Sequence, residues 1–301
     1  MNGWPSDQLL DLSTDRVPTY APERDHERER AVFDDTADTI DGHAGALHVE
    51  VWRNPDARYL AVLCHGYGEH IGRYTHVAAR LVRHGAAVYG LDHAGHGRSE
   101  GERVLIQDID AVVDDLHRLV EFARGEHLDL PVVLIGHSLG GLLAARYAQR
   151  HAPGLLDALT LSAPVLGRWD AANQLLALEV VPEAPIDPAA LSRDPAVGEA
   201  YEQDPLVWHG SFKRPTLEAL VHGLETVSKD GEVVDLPVLW LHGDADEVVP
   251  IEPTREGVRA LVPSDRLTPI VYPGARHEVF NETNRDEVLD DVTSFIDRVL
   301  V

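Results

Sequence analysis

The sequence predicts an α/β fold: a mostly parallel central sheet flanked by helices, with a helical cap inserted between two of its strands. Three observations predict it. Short, continuously apolar runs alternate with helix-like segments, the pattern of parallel strands buried on both faces. The alternation breaks once, between residues 167 and 232, where the stretch 182–205 alone holds five prolines. And Gly136-His137-Ser138-Leu139-Gly140-Gly141 stands where an apolar strand gives way to a helix, the setting in which G-x-S-x-G carries chemistry.

Residues 1–35 mix Pro, Asp, Glu and Arg, close on the charged run ERDHERER and show no periodicity, so they read as a charged N-terminal extension. The sheet domain then occupies 36–166 and 233–301. RYLAVLC (58–64) reads as a strand. A helix follows through Tyr74, Val77, Ala78, Leu81 and Val82 and stops at Gly85, a residue suited to ending helices in the left-handed conformation. AAVYGLD (86–92) is the next strand, and Ile109, Val112, Val113, Leu116, Leu119 and Val120 mark one face of a helix that Asp108 is placed to cap. PVVLIG (131–136), DALTLSAP (157–164), LPVLWLHG (236–243) and RLTPIVYPG (266–274) are further strands, and a last helix starts near Arg285. The segment 167–232 reads as a cap at the C-terminal edge of the sheet, where open α/β sheets bind ligands. Within it, AANQLLALEVV (171–181) is apolar around most of a helical circumference, which predicts burial or contact with something apolar.

Lys and Arg total 26 against 51 Asp and Glu, a formal charge of −25 that repels phosphate backbones and anionic headgroups. Nucleic acid is therefore not an expected partner, and electrostatic docking to a membrane is disfavoured. The single cysteine, Cys64, excludes an internal disulfide and fits a reducing compartment. No apolar run approaches the ~20 residues that span a bilayer, and the N-terminus lacks the basic and apolar regions of a secretory signal. The expectation is a soluble, cytoplasmic protein, at most peripheral at a membrane, with oligomeric state unassigned.

Ser138 sits at a turn so tight that side chains two positions away would collide with neighbouring elements, and glycine at 136 and 140 removes that clash. A serine hydroxyl needs a base to take its proton and an acid to orient that base, here in the order Ser, acid, His. Among 17 histidines, His277 is best placed, in GARHEVFNE just after the last strand, with His242 and His209 as alternatives. Asp246 is the favoured acid, and Asp244 is the alternative in the same loop. An oxyanion would take backbone N–H groups from Leu139 and, in the loop after RYLAVLC, from Tyr67. Asp92 to Ser99 is rich in His and Gly but follows a strand directly, which favours a structural turn over a metal or catalytic cluster. Glu69 and Arg73, four apart, form a default i,i+4 ion pair. They also flank the oxyanion loop, so contact with a polar substrate headgroup is the functional alternative. Cys64 reads as a buried strand residue.

HGYGEHIGRY (65–74), LDHAGHGRSEG (91–101), GHSLGG (136–141), SRDPAVGEAYEQDPLVWHG (192–210), HGDADEVVPIE (242–252) and YPGARHEVFNE (272–282) together resemble the monoacylglycerol lipase family of the α/β-hydrolase superfamily, especially its bacterial and actinobacterial members. The resemblance implies the α/β-hydrolase fold, with Ser138, Asp246 and His277 at the triad positions and Tyr67 and Leu139 as oxyanion donors. It also implies a cap that forms a hydrophobic tunnel for one acyl chain. The activity so implied is hydrolysis of monoacylglycerols to fatty acid and glycerol through an acyl-enzyme, without metal or organic cofactor. A lysophospholipase or broad carboxylesterase is the alternative within hydrolases; outside them it is a small-molecule-binding receptor on the same fold. Leu175, Leu176 and Leu178 of the cap are the expected apolar substrate contacts and the expected site of transient contact with a lipid surface. The charged extension, the acidic balance and tyrosine at position 67 depart from the family pattern.

Overall fold

A computed structural model describes residues 35–300 other than 153, 184 and 234, so the charged extension lies outside the described residues except for Asp35. Eight strands form one sheet in the order β1-β2-β4-β3-β5-β6-β7-β8. They are β1 (Asp35–Gly42), β2 (Gly45–Trp52), β3 (Tyr59–Cys64), β4 (Ala86–Leu91), β5 (Val132–His137), β6 (Ala158–Ser162), β7 (Val238–Gly243) and β8 (Leu267–Tyr272). From β4 through β8 every neighbouring pair is parallel, whereas β1 and β2 form an antiparallel hairpin laid antiparallel on β4.

The five inner strands β3 to β7 are buried at every position, because helices cover both faces. Side chains alternate between two cores with the period of the strand. Leu60 and Val62 of β3, Val132 and Leu134 of β5, and Val238 and Trp240 of β7 enter one core. Ala61 and Leu63, Val133 and Ile135, and Leu239 and Leu241 enter the other. The first core is closed by α2 (Ile109–Glu126), α3 (Leu139–His151), α6 (Arg214–Asp230) and α7 (Ile251–Leu261), the second by α1 (Thr75–His84) and α8 (Arg285–Val299). β8 lies at the edge and is only partly buried, so Pro269, which has no N–H for a ladder, is tolerated there.

Two helix ends follow the residues singled out above. Gly85 adopts φ 107° and its N–H reaches the Leu81 and Val82 carbonyls, closing α1. The Asp108 carboxylate accepts the Asp110 N–H at 2.9 Å, capping α2. The Asp92 to Ser99 segment is a hydrogen-bonded turn. The Asp92 carboxylate takes the N–H groups of Ile71 (2.7 Å) and Arg98 (2.8 Å), and Ser99 Oγ donates to the Asp92 carbonyl.

The insertion between β6 and β7 carries α4 (Asp170–Leu176), a short 3₁₀ turn (Pro188–Ala190), α5 (Pro195–Gln203) and α6. Here one expectation is corrected: residues 171–181 do not form a buried apolar helix. α4 stops at Leu176 with only Ala172 fully buried, while Leu178 and Val180 are 47% and 76% exposed. The Arg214 guanidinium takes the Leu176 carbonyl at 3.0 Å and those of Leu178 and Glu179, satisfying groups that a longer helix would have used, and Pro182 follows closely.

Because the Asp108 cap satisfies an N–H that has no intrahelical acceptor, Asp108→Ala should lower stability by about 1 kcal/mol in a urea titration. A change indistinguishable from zero would mean that water serves that N–H equally well.

Candidate active site

The turn from β5 into α3 is the centre of the site. Ser138 has φ 54° and ψ −118°, a left-handed backbone that a side chain rarely adopts and that costs on the order of 1–3 kcal/mol. Its surroundings hold it there: the Ser138 N–H donates to the Ser162 carbonyl at 3.0 Å, and its carbonyl accepts from Gly141 (2.9 Å) and Val165 (3.0 Å). A Cβ at Gly136 would strike the Gly140 carbonyl, and one at Gly140 would strike the carbonyls of Cys64 and His65. Only backbone fits between these segments.

The loop after β8 brings His277 over the serine. The Ser138 hydroxyl lies 3.0 Å from His277 Nε2, and His277 Nδ1 lies 2.8 Å from Asp246 Oδ2. With Nδ1–H donated to the carboxylate, Nε2 presents its lone pair to the hydroxyl. Asp246 Oδ1 accepts the N–H groups of Val248 and Val249, both at 2.9 Å, so the carboxylate is fixed by its own loop. His242 lies behind it, with Nε2 3.3 Å from Asp246 Oδ2 and donating to the Val249 carbonyl. The alternatives weighed above lie elsewhere: Asp244 accepts the Gly274 N–H at 2.6 Å, and His209 is exposed and hydrogen-bonds the Asp204 carbonyl.

Burial opposes ionisation of Asp246, but the charge of His277 and hydrogen bonds from His242 and His277 outweigh it and hold the carboxyl well below the usual range. Burial likewise opposes protonation of His277, yet Asp246, followed by Glu278 and Glu69, raises its pKa above the ordinary histidine value. His137, whose ring centre is 4.8 Å from that of His277, is pushed down to about 3 by burial and by the charge of His277 and stays neutral.

Beside the serine, the loop after β3 is braced from several sides. Gly66 N–H donates to Glu69 Oε1 at 2.6 Å, the Gly68 carbonyl accepts the Trp208 N–H at 2.7 Å, and the His65 ring accepts the His93 N–H at 3.0 Å. Leu139 opens α3, so its N–H has no acceptor within the helix. Tyr67 is stacked on Phe212, with ring centres 4.2 Å apart and planes at 12°.

A cavity opens over Ser138, lined by two groups of side chains. One is apolar and centres on Trp169, whose ring packs edge-on to Phe212 and whose Nε1–H donates to the Val248 carbonyl; Val165, Leu220 and Val249 complete it. The other contains Glu69, Arg73, Tyr201 and Glu278, with Ile186 and Leu191. Tyr67, Leu139, Glu69 and Arg73 thus line the same cavity as Ser138 and His277, with Asp246 directly behind. Leu175, Leu176 and Leu178 do not line it: Leu175 and Leu176 pack against the core, and Leu178 points to solvent because the chain turns after α4. Sequence reasoning missed Trp169, Phe212, Leu220 and Glu278. The last carried a local signal, since it directly follows His277. Among the described residues, no group of three or more His, Cys, Asp or Glu side chains is arranged to hold a metal ion.

Residues 55–284 match the family described as serine aminopeptidase, S33. The monoacylglycerol lipase of Mycolicibacterium smegmatis is 40% identical over 257 residues, covering 82% of this chain and 91% of that one. The chain belongs to the monoacylglycerol lipase family. Its fold is that of the α/β-hydrolases. Among solved structures, the monoacylglycerol lipase of Paleococcus ferrophilus matches with a TM-score of 0.71 at 29% identity, covering 83% of this chain and 98% of that one. A thermostable carboxyl esterase from Bacillus coagulans, in complex with glycerol, matches with a TM-score of 0.76 at 25% identity, covering 89% and 99%. No helix among the described residues of this family member is long and apolar enough to cross a membrane.

The raised pKa of His277 sets a pH dependence. A neutral imidazole can accept a proton from the hydroxyl it faces and a protonated one cannot, so labelling of Ser138 by a fluorophosphonate should weaken as pH falls through a value above the ordinary histidine pKa of about 6.5. A limb centred below that value would contradict the electrostatics described here.

Proposed function

We propose that this protein hydrolyses the ester bond of monoacylglycerols, releasing fatty acid and glycerol through an acyl-enzyme on Ser138. The observation that carries the proposal is the hydrogen-bonded line from Ser138 through His277 to Asp246, at the floor of a cavity lined by Trp169, Phe212 and Leu220. Membership of the monoacylglycerol lipase family supports the choice of alcohol.

In this reading residues 167–232 act as the cap and the acyl chain lies against its apolar side chains. His277 takes the Ser138 proton as the serine attacks the ester carbonyl, and Asp246 holds the imidazole in the tautomer needed and stabilises the imidazolium. The N–H groups of Tyr67 and Leu139 receive the oxyanion, an interaction typically worth 10²- to 10³-fold in rate for each donor. His277 then protonates the departing glycerol oxygen. Water, activated by the same imidazole, releases the fatty acid. A transient contact with a lipid surface would use the exposed Leu178 and Val180, since a chain of charge −25 gains nothing from anionic headgroups.

A broad carboxylesterase is the second reading, favoured by the structural likeness to the Bacillus coagulans carboxyl esterase. A release assay on monoacylglycerol, diacylglycerol, lysophosphatidylcholine and a short p-nitrophenyl ester separates the two. Monoacylglycerol should be preferred, and Ser138→Ala should reduce turnover of all by about 10³-fold or more. Comparable rates on every ester would reduce the function to a general esterase; near wild-type activity in the serine variant would remove the assignment of the nucleophile.

A further inference from the structure

The second group of cavity side chains forms a closed ionic bridge between two catalytic loops. Arg73 Nη1 and Nη2 donate to Glu278 Oε1 and Oε2 at 2.8 and 2.7 Å, and Nη1 also donates to Glu69 Oε2. Glu69 in turn uses Oε1 to accept the Gly66 N–H at 2.6 Å and the Tyr74 hydroxyl at 2.7 Å. Glu278 Oε2 also accepts from Asn281 Nδ2 at 2.8 Å. The Arg73 guanidinium lies 5.2 Å from the centre of the Tyr201 ring. All three charged side chains are withdrawn from water, at 10% exposure for Arg73 and 5% for each carboxylate.

We infer that Arg73 is a positioning residue that sets the spacing between the loop carrying Tyr67 and the loop carrying His277, by bridging Glu69 on one side and Glu278 on the other. The inference rests on the reading of Ser138 and His277 as the reacting pair. Gly66 directly precedes Tyr67 and Glu278 directly follows His277, so each end of the bridge is one residue from a group that acts on the ester. A bidentate guanidinium–carboxylate pair fixes angle as well as distance, which a point charge would not. Burying such ions costs desolvation that ordinary apolar packing would avoid, so stability alone is a weak reason for the arrangement. Positioning is a stronger one, because a displacement of about 1 Å at reacting groups costs on the order of 10²-fold in rate.

The charge count adds a second effect. Two carboxylates against one guanidinium leave one negative charge on the bridge, added to that of Asp246 at 2.8 Å from His277, while His137 against the other side of the ring stays neutral. That surplus favours the imidazolium formed as the serine attacks. Both effects act on chemistry common to all esters, whereas a headgroup contact would act only on substrates that carry glycerol.

The test compares Glu278→Gln, Glu69→Gln and Arg73→Lys on a monoacylglycerol and on the p-nitrophenyl ester of the same fatty acid, which has no glycerol. Each variant should lose about 10- to 100-fold in kcat on both esters while KM stays nearly unchanged. Arg73→Lys, which keeps the charge but not the fork, should be as impaired as the two glutamine variants. In Glu278→Gln the acid limb of the kcat/KM profile should also move to lower pH, a shift that loosened packing alone would not produce. Thermal melts establish that the variants fold; if Glu278→Gln does not, Glu69→Gln asks the same question from the other end of the bridge. A defect confined to KM for monoacylglycerol would overturn the inference in favour of a headgroup contact, and unchanged kcat on both esters would overturn it outright. A wild-type protein inert toward both esters would remove the reading of the site itself, and the inference with it.

Discussion

The strained turn at Ser138 is the constraint on which the rest of the catalytic edge depends. A residue with a side chain held at positive φ stays there only if its neighbours leave no alternative. Here they do so with backbone: the carbonyls of Cys64, His65 and Gly140 stand where any Cβ at 136 or 140 would be. The consequence is geometric. The hydroxyl projects beyond the carboxyl ends of the strands, the start of α3 offers the Leu139 N–H beside it, and the loop after β3 is drawn against the same turn.

Around that fixed point, three strand-end loops are locked by hydrogen bonds within and between them rather than by burial alone. Asp246 is held by Val248 and Val249, His277 by Asp246, and the loop before Tyr67 by Glu69. The insertion after β6 is tied to the same loops. Leu191 accepts the Glu278 N–H, Arg193 pairs with Glu282, and Asp204 meets His70. The part of the insertion nearest the chemistry is therefore a wall of the site. The strongly acidic surface is a separate matter, for the buried carboxylates at the catalytic edge are each matched by a cation, a histidine or backbone N–H groups.

Much of this was legible in the sequence, for identifiable reasons. Strands β3 to β8 stand out because runs such as LAVL and VVLI are almost wholly apolar, and Ser138 is legible because its glycines lie within a few residues of it. The hairpin β1–β2 was not legible: Asp38, Asp41, His48 and Glu50 break its apolar pattern, and it lies on the antiparallel side of the sheet. α7 was missed because only Thr254, Val258 and Leu261 of its residues are buried. The apolar count of 171–181 misled because Arg214, some 35 residues on, takes the carbonyls that end α4. Likewise the Arg73–Glu278 contact joins residues 205 apart, and Trp169, Phe212 and Leu220 meet only once the insertion folds over the serine. Contacts of that range leave no local pattern to read.

Whether the Ser138 turn aims its oxygen at an ester carbonyl held by two backbone amides can be read from the structure of the protein after reaction with a long-chain alkyl fluorophosphonate. Phosphorus should be bonded to Ser138 Oγ, with the phosphonyl oxygen about 2.7–3.1 Å from the N–H groups of both Tyr67 and Leu139. The alkyl chain should lie against Trp169, Phe212 and Leu220. Phosphorus on any other side chain, or a phosphonyl oxygen turned away from both amides, would contradict that geometry.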